Sequence, residues 1–231
     1  MTDPIAERVA ERGITRICHF TPSRSLAHIL SGRSGIRPSS ELSESEREIF
    51  NPTDLQRIDN HTGHICCSIE YPNGWYMAKA RDAERLFPDW VVLFVRPIVL
   101  SLPDTLFCPR NAAALGGRLL KPGLEAFDAM YARAIDGAGG RTFVRGARHL
   151  ACSPTDDQAE VLIPLRIPVE DIVGIAVSSD DQGVEERVRL GVLGIDMEGL
   201  NFVVAPSLFR KGSLSNAIRA GNRPEERPLA P

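Results

Sequence analysis

The sequence predicts an α+β fold, and three observations carry that expectation. Candidate strands are short and cluster in the middle and near the end of the chain. Candidate helices fall early and between them. The two kinds do not alternate in the strand–helix–strand order that a doubly wound parallel sheet needs. At 231 residues, with 43% hydrophobic and 25% charged side chains, the chain carries enough apolar material for one domain with a sizeable core.

Asp3 and Pro4 open a first helix and Gly13 ends it, the aspartate as cap and the proline where no amide hydrogen is needed. Residues 15–20 read as a strand, and Ser23 is placed to cap a short helix that turns Leu26, Ile29 and Leu30 inward. Residues 39–50 set Glu41, Glu44, Glu46 and Glu48 against Arg47, as a solvated helix or a mobile segment would. Residues 64–70 form a strand, Tyr71-Pro72-Asn73-Gly74 a turn, 75–86 a helix and 90–95 a buried strand. Residues 123–135 place Leu124, Phe127, Met130 and Tyr131 on one helical face, and the Gly- and Arg-rich stretch 136–157 reads as a long loop. Strands at 159–165 and 173–178 join through Pro168; a helix at 185–193 and a strand at 201–205 follow. Beyond Lys211 apolar residues thin out, so the domain is expected to span residues 1–210 and residues 211–231 to form a poorly ordered tail.

Composition excludes several classes. The formal charge of -3 announces no nucleic-acid partner in bulk, so any such site is local. No apolar run approaches membrane-spanning length, and residues 1–12 carry acids where a secretion signal needs an apolar core. Five cysteines, two adjacent and none spaced C-x-x-C, fit a reducing cytoplasm. Neither G-x-x-x-x-G-K-[ST] nor H-E-x-x-H occurs, and Gly137-Ala138-Gly139 has Thr142 where a dinucleotide fingerprint needs its third glycine. His61, His64, Cys66 and Cys67 suggest a metal, but neighbouring cysteines on a strand face opposite ways, so no metal is expected.

Three segments carry more information. Cys18-His19-Phe20-Thr21, followed by Ser25-Leu26, puts a strand end against a helix start, which suits a ligand site and simple packing equally. Gln158-Ala159-Glu160-Val161-Leu162 sets an acid at a strand start, with Gln158 on the same face. Arg57-Ile58-Asp59 precedes the strand that ends in Ser68-Ile69-Glu70-Tyr71-Pro72-Asn73; alone, Arg57 and Asp59 are an ordinary surface pair.

In this order, with Trp90-Val91-Val92-Leu93 and Phe107-Cys108-x-x-Asn111-Ala112-Ala113 between them, the motifs resemble the DarT family of DNA ADP-ribosyltransferase toxins. The likeness is to the branch with an S-I-E-[YF]-P-N segment and runs over residues 14–178, with Ser25 where relatives often carry Asn. It implies a central, mostly antiparallel, split β-sheet flanked by helices. It also implies NAD as co-substrate without a metal, single-stranded DNA as partner, and a cognate antitoxin that removes ADP-ribose. Catalytic roles pass to Glu160 and Arg57, and cofactor contacts to His19, Phe20, Thr21, Ser25, Leu26 and Arg57. His149 and Gln158 are candidates to contact the base. Arg145 and Arg148, in a loop with Arg133 and Arg141 against Asp136, are expected either to contact phosphate or to be solvated. The S-I-E-Y-P-N segment and the Q-x-E form favour guanine over thymine as acceptor. The alternatives are transfer to RNA or protein, and a silent relative that only binds nucleic acid.

Overall fold

Two neighbouring strands that pair for only two residues set the architecture. The computed structural model describes residues 3–50, 58–84, 87–137 and 140–230. Helix α1 (Pro4–Arg12) is capped by Asp3, whose side chain accepts from the Ile5 amide, and closes on Gly13 at φ 65°. Strand β1 (Ile17–Pro22) passes through a 3-10 turn at Ser23–Ser25 into α2 (Leu26–Leu30). Then come α3 (Glu44–Phe50), β2 (His64–Ile69), α4 (Gly74–Ala83) and β3 (Trp90–Val95). Short strands β4 (Leu106–Cys108) and β5 (Lys121–Pro122) precede α5 (Leu124–Ala129) and the hairpin of β6 (Ala134–Asp136) with β7 (Thr142–Val144). Strands β8 (Glu160–Pro164) and β9 (Ile172–Val177), helix α6 (Asp180–Val192), β10 (Asn201–Val204), α7 (Lys211–Ala220) and β11 (Arg227–Pro228) complete the order.

Nine strands form one sheet in the order β11-β10-β9-β3-β1-β2-β8-β4-β5, antiparallel except for β9 beside β10. The expected mixed fold with a mostly antiparallel sheet is the one observed. Beside the middle strand β1 lies β3, whose six residues are all buried, as a continuous apolar run covered on both faces requires. β1 pairs with β3 along its whole length but with β2 only at Ile17↔Ile69 and Cys18↔Ser68. Beyond that point β2 turns its pairing to β8, from His64↔Pro164 to Cys67↔Val161. The sheet therefore parts between β1 and β2.

Four expectations are corrected. Ser23 caps no helix; its amide donates to the Asp89 carbonyl at 2.9 Å. The helix expected over 123–135 stops at Ala129, because the Met130 carbonyl accepts from Thr155 and the chain enters the β6–β7 hairpin inside the stretch taken for a loop. Helix α6 begins at Asp180 instead of 185, because Ser179 caps it and two aspartates fill its first turn.

The fourth concerns the tail, which is folded. α7 buries Leu214 and Ile218, and Leu229 is buried against Gly183 while its amide donates to Phe202. The charges of this segment meet partners of opposite sign: Arg223 reaches Glu70 at 3.2 Å, Glu226 pairs with Arg16, and Arg227 with Asp180. Glu70 is itself buried, at φ 63°, and accepts from the Thr15 amide at 2.7 Å. Leu229→Ala is expected to lower the unfolding free energy by about 2 kcal/mol, read from urea denaturation; an unchanged midpoint would remove the tail from the core.

Candidate functional site

The parting of β1 and β2 opens a cleft of about 720 Å³. One wall is the β1 edge, with His19, Phe20, Thr21 and Ser25; the other is β2 with Glu160 and Gln158; Trp75, Tyr76 and Lys79 of α4 line a third side. Along residues 19–22 the β2-facing edge of β1 has no strand beside it among the described residues. His19 bridges the gap, its Nδ1 lying 3.0 Å from the Cys66 carbonyl. A carbonyl only accepts, so Nδ1 carries the hydrogen and Nε2 is left as an acceptor. Burial lowers the His19 pKa and keeps the ring neutral.

Glu160 is the first residue of β8, 3% exposed. Its Oε1 accepts from Asn73 Nδ2 at 2.9 Å and Asn111 Nδ2 at 3.2 Å, and its Oε2 from the Ala112 amide at 2.6 Å. The Cys66 thiol adds a fourth donor. Burial pushes the carboxyl up to about 7, and the donors hold it from rising further. Asn73 is fixed by two duties: its Oδ1 accepts from the Tyr76 amide at 3.0 Å and caps α4, which turns Nδ2 toward Glu160. Asn111 is set likewise, its Oδ1 accepting from the Ala113 amide at 3.1 Å.

The structure brings together Glu160, Gln158, His19, Phe20, Thr21 and Ser25 around the cleft. Arg57 lies outside the described residues; Ile58 and Asp59, which follow it, line the cleft. Leu26 does not line the cleft but is fully buried in the core, since the helical turn points it away from Ser25. His149 is buried away from the cleft with Nε2 3.0 Å from the Pro154 carbonyl, and burial pushes its pKa down to about 4. Arg145, expected either to contact phosphate or to be solvated, turns its guanidinium to the 150–155 segment, donating to the carbonyls of Ser153 at 2.8 Å and Leu150 at 2.7 Å. Arg148 is exposed and does not line the cleft. The rings of His61 and His64 lie 5.5 Å apart, edge to face, with His61 Nδ1 against the Asp59 carbonyl and His64 Nε2 against that of Asp104.

Sequence reasoning gave no role to Asn73, Asn111 and Ala112, the groups that hold Glu160. Their signal was present as asparagines in turns beside two strands, S-I-E-Y-P-N and N-A-A, but nothing local to either turn shows that both point at one carboxylate.

Two atoms on the cleft walls, Ser25 Oγ and Trp90 Nε1, are buried without a partner. Such atoms carry a desolvation cost that a ligand's polar groups relieve.

A family model described as "DarT: ssDNA thymidine ADP-ribosyltransferase, DarT" matches residues 18–207. Among solved structures, the fold is similar to that of Thermus sp. 2.9 DarT in complex with NAD+, at 17% identity and a TM-score of 0.54, over 86% of this chain and 96% of that one. Thermus sp. 2.9 DarT in complex with ADP-ribosylated ssDNA matches at 14% identity and a TM-score of 0.51, over 85% and 97%. Thermosipho africanus DarTG in complex with ADP-ribose matches at 13% identity and a TM-score of 0.51, over 84% of this chain but 51% of that one, so the present chain spans about half its length. No curated protein sequence matches.

This geometry has three expected outcomes. Glu160 is expected to titrate near 7 in carboxyl NMR; Asn73→Ser, which keeps a cap for α4 but cannot reach the carboxylate, is expected to raise that midpoint by about one unit. A carboxyl whose pKa is raised on folding stabilises the fold below its unfolded value and loses that contribution as pH rises through the folded one, so the chain is expected to lose stability between pH 4.5 and 7 from this group. Arg145→Ala is expected to cost about 2 kcal/mol of unfolding free energy, measured by denaturation; a variant as stable as the parent would return Arg145 to the solvated loop.

Proposed function

Because the chain belongs to the DarT family, we propose that it is an NAD-dependent ADP-ribosyltransferase that releases nicotinamide and passes ADP-ribose to a base of single-stranded DNA. The observation that carries this reading is Glu160 in the cleft where the sheet parts, a buried carboxylate held by four donors. Thermus sp. 2.9 DarT, similar in fold, is described with NAD+ and with ADP-ribosylated ssDNA.

NAD suits the cleft chemically. The open β1 edge at residues 19–22 presents backbone groups to which an amide can add as a strand would. His19 Nε2 supplies an acceptor there, Ser25 Oγ and Trp90 Nε1 lack partners, and Phe20 and Tyr76 rings meet at 5.8 Å. Leaving of nicotinamide puts positive charge on the anomeric carbon of its ribose. The Glu160 carboxylate stabilises that charge more than it does the ground state, because it is held in place before reaction and needs no reorganisation. With a pKa of about 7 it also accepts the proton that the base loses as the new bond forms. Arg57, next to the cleft-lining Ile58 and Asp59, is assigned to the NAD phosphates or to orienting the acceptor. Gln158 is assigned to the base, which is reached only outside a stacked duplex.

For the base we propose guanine, on the S-I-E-Y-P-N segment and the Gln158-x-Glu160 form; the family description names thymidine. The biological role we propose is that of a toxin reversed by an antitoxin that removes ADP-ribose. The DarTG chain of Thermosipho africanus, longer than this chain and described in complex with ADP-ribose, supports such a pairing. No described helix is long and apolar enough to cross a membrane.

Labelled NAD offered with single-stranded DNA, duplex, RNA or protein is expected to label the single-stranded DNA. Labelling of RNA or protein alone would overturn the acceptor class. Oligonucleotides whose only reactive candidate is guanine are expected to be modified, and labelling confined to thymine would overturn the choice of base. Glu160→Gln keeps the shape, removes the charge and turns an amide toward existing donors, so transfer is expected to fall by about a hundredfold or more. Arg57→Ala is expected to lose most transfer and to relieve growth toxicity; a variant as toxic as the parent would make Arg57 a surface residue.

A further inference from the structure

We propose that Trp75, with Lys79 and Lys211 beside it, seats a nucleotide neighbouring the reacting base, the indole stacking on that nucleotide's base and the two ammonium groups meeting the strand's phosphates. This rests on the single-stranded DNA reading above and adds a place for the strand.

The chain has two tryptophans, and both border the cleft, but Trp90 is 2% exposed inside β3 whereas Trp75 is 42% exposed. A lone exposed aromatic means little, but Trp75 has two lysines near it; Asp156 and Asp157 line a small groove with it and Lys211, and Asp157 is already paired with Arg219. Lys79, one helical turn on along α4, lines the same cleft. Lys211 Nζ lies 5.1 Å from the indole centroid. Lys211 begins α7, whose first turn holds no acid and no side-chain cap, so no anion within that turn offsets its charge. Gly74 permits this approach: a Cβ there would come within 3.3 Å of the Lys211 Cα, so the two helix starts touch.

The platform is fixed relative to the reacting centre. Asn73 caps α4 and donates to Glu160 at 2.9 Å, and Trp75 stands two residues further along the same first turn. A strand whose reacting base reaches Glu160 thus has its next base within range of a rigid indole. Stacking on an aromatic face is indifferent to base identity, and backbone phosphates call for cations, so an aromatic ring flanked by lysines is the combination that single strands select.

The test uses the full chain and a fluorescein-labelled single-stranded DNA oligonucleotide without NAD, followed by anisotropy and by intrinsic tryptophan emission. The parent is expected to bind with quenched emission. Trp75→Ala is expected to weaken binding by roughly tenfold or more and to abolish the quenching, because the remaining Trp90 is buried; Trp75→Phe is expected to restore much of the affinity. Lys211→Glu is expected to reduce the slope of log affinity against log salt by about one or more. In turnover, Trp75→Ala is expected to raise the KM for DNA. If the parent binds and Trp75→Ala binds equally well, the platform is wrong and the DNA reading stands. If Trp75→Ala weakens NAD binding in place of DNA binding, the ring belongs to the co-substrate and the proposal falls. If the parent binds RNA and no DNA, both this proposal and the acceptor reading fall.

Discussion

Everything at the site depends on β1 and β2 sharing an edge for two residue pairs and no more. Each strand is anchored on its far side, β1 by β3 and β2 by β8, so the sheet tolerates a gap in its middle that would be costly at an unsupported edge. The gap does three things at once. It frees the β1 edge for a ligand, exposes the first residue of β8 to the cleft, and leaves the Cys66 carbonyl to be satisfied by a side chain. His19 meets that last need and is thereby locked into one tautomer. A fully zipped sheet would have none of these properties.

The second constraint is electrostatic. Burying Glu160 opposes its charge, and four donors, from the turns after β2 and β4 and from β2 itself, restore it in part. None of these donors is a cation. Neutral dipoles hold the carboxylate without neutralising it, which keeps its charge available to a positive centre brought by a ligand. Asn73 ties this arrangement to α4, because the amide group that caps the helix is the one that grips the carboxylate. The helix cannot shift without the carboxylate responding.

The arginines show how poorly local charge reports a binding face. Arg145 is consumed by carbonyls of its own loop, Arg16 and Arg223 hold the C-terminal segment against the body, and Arg12 stacks on Tyr131 at 3.8 Å. A guanidinium with five donors is suited to such stapling, and a Gly-rich segment with few apolar side chains has need of it. The same pairing explains why residues after Lys211 fold although their composition reads as solvated: their arginines and acids meet partners more than a hundred residues away in sequence, at Arg16 and Glu70.

The sequence by itself determined the fold class, six of the nine strands of the central sheet, and the position of Glu160 at a strand start, because apolar periodicity and turn chemistry act over a few residues and are written locally. It also put His19 on its strand, but it ended that strand before Thr21, which belongs to β1, and read Gln158 as extended where it lies in the turn before β8. It misjudged the length of the helix after Gly123, missed β4, β5, β6, β7 and β11, and took the C-terminal segment for a tail, because two- and three-residue strands and surface helices are set by what they pack on. Only the tertiary structure decided that Asn73, Asn111 and Ala112 converge on Glu160, and that Arg145 and His149 turn inward. The physical reason is that a donor's target is fixed by where distant strands cross in space, and Asn73 and Glu160 stand 87 residues apart along a chain whose spacing carries no trace of their 2.9 Å contact.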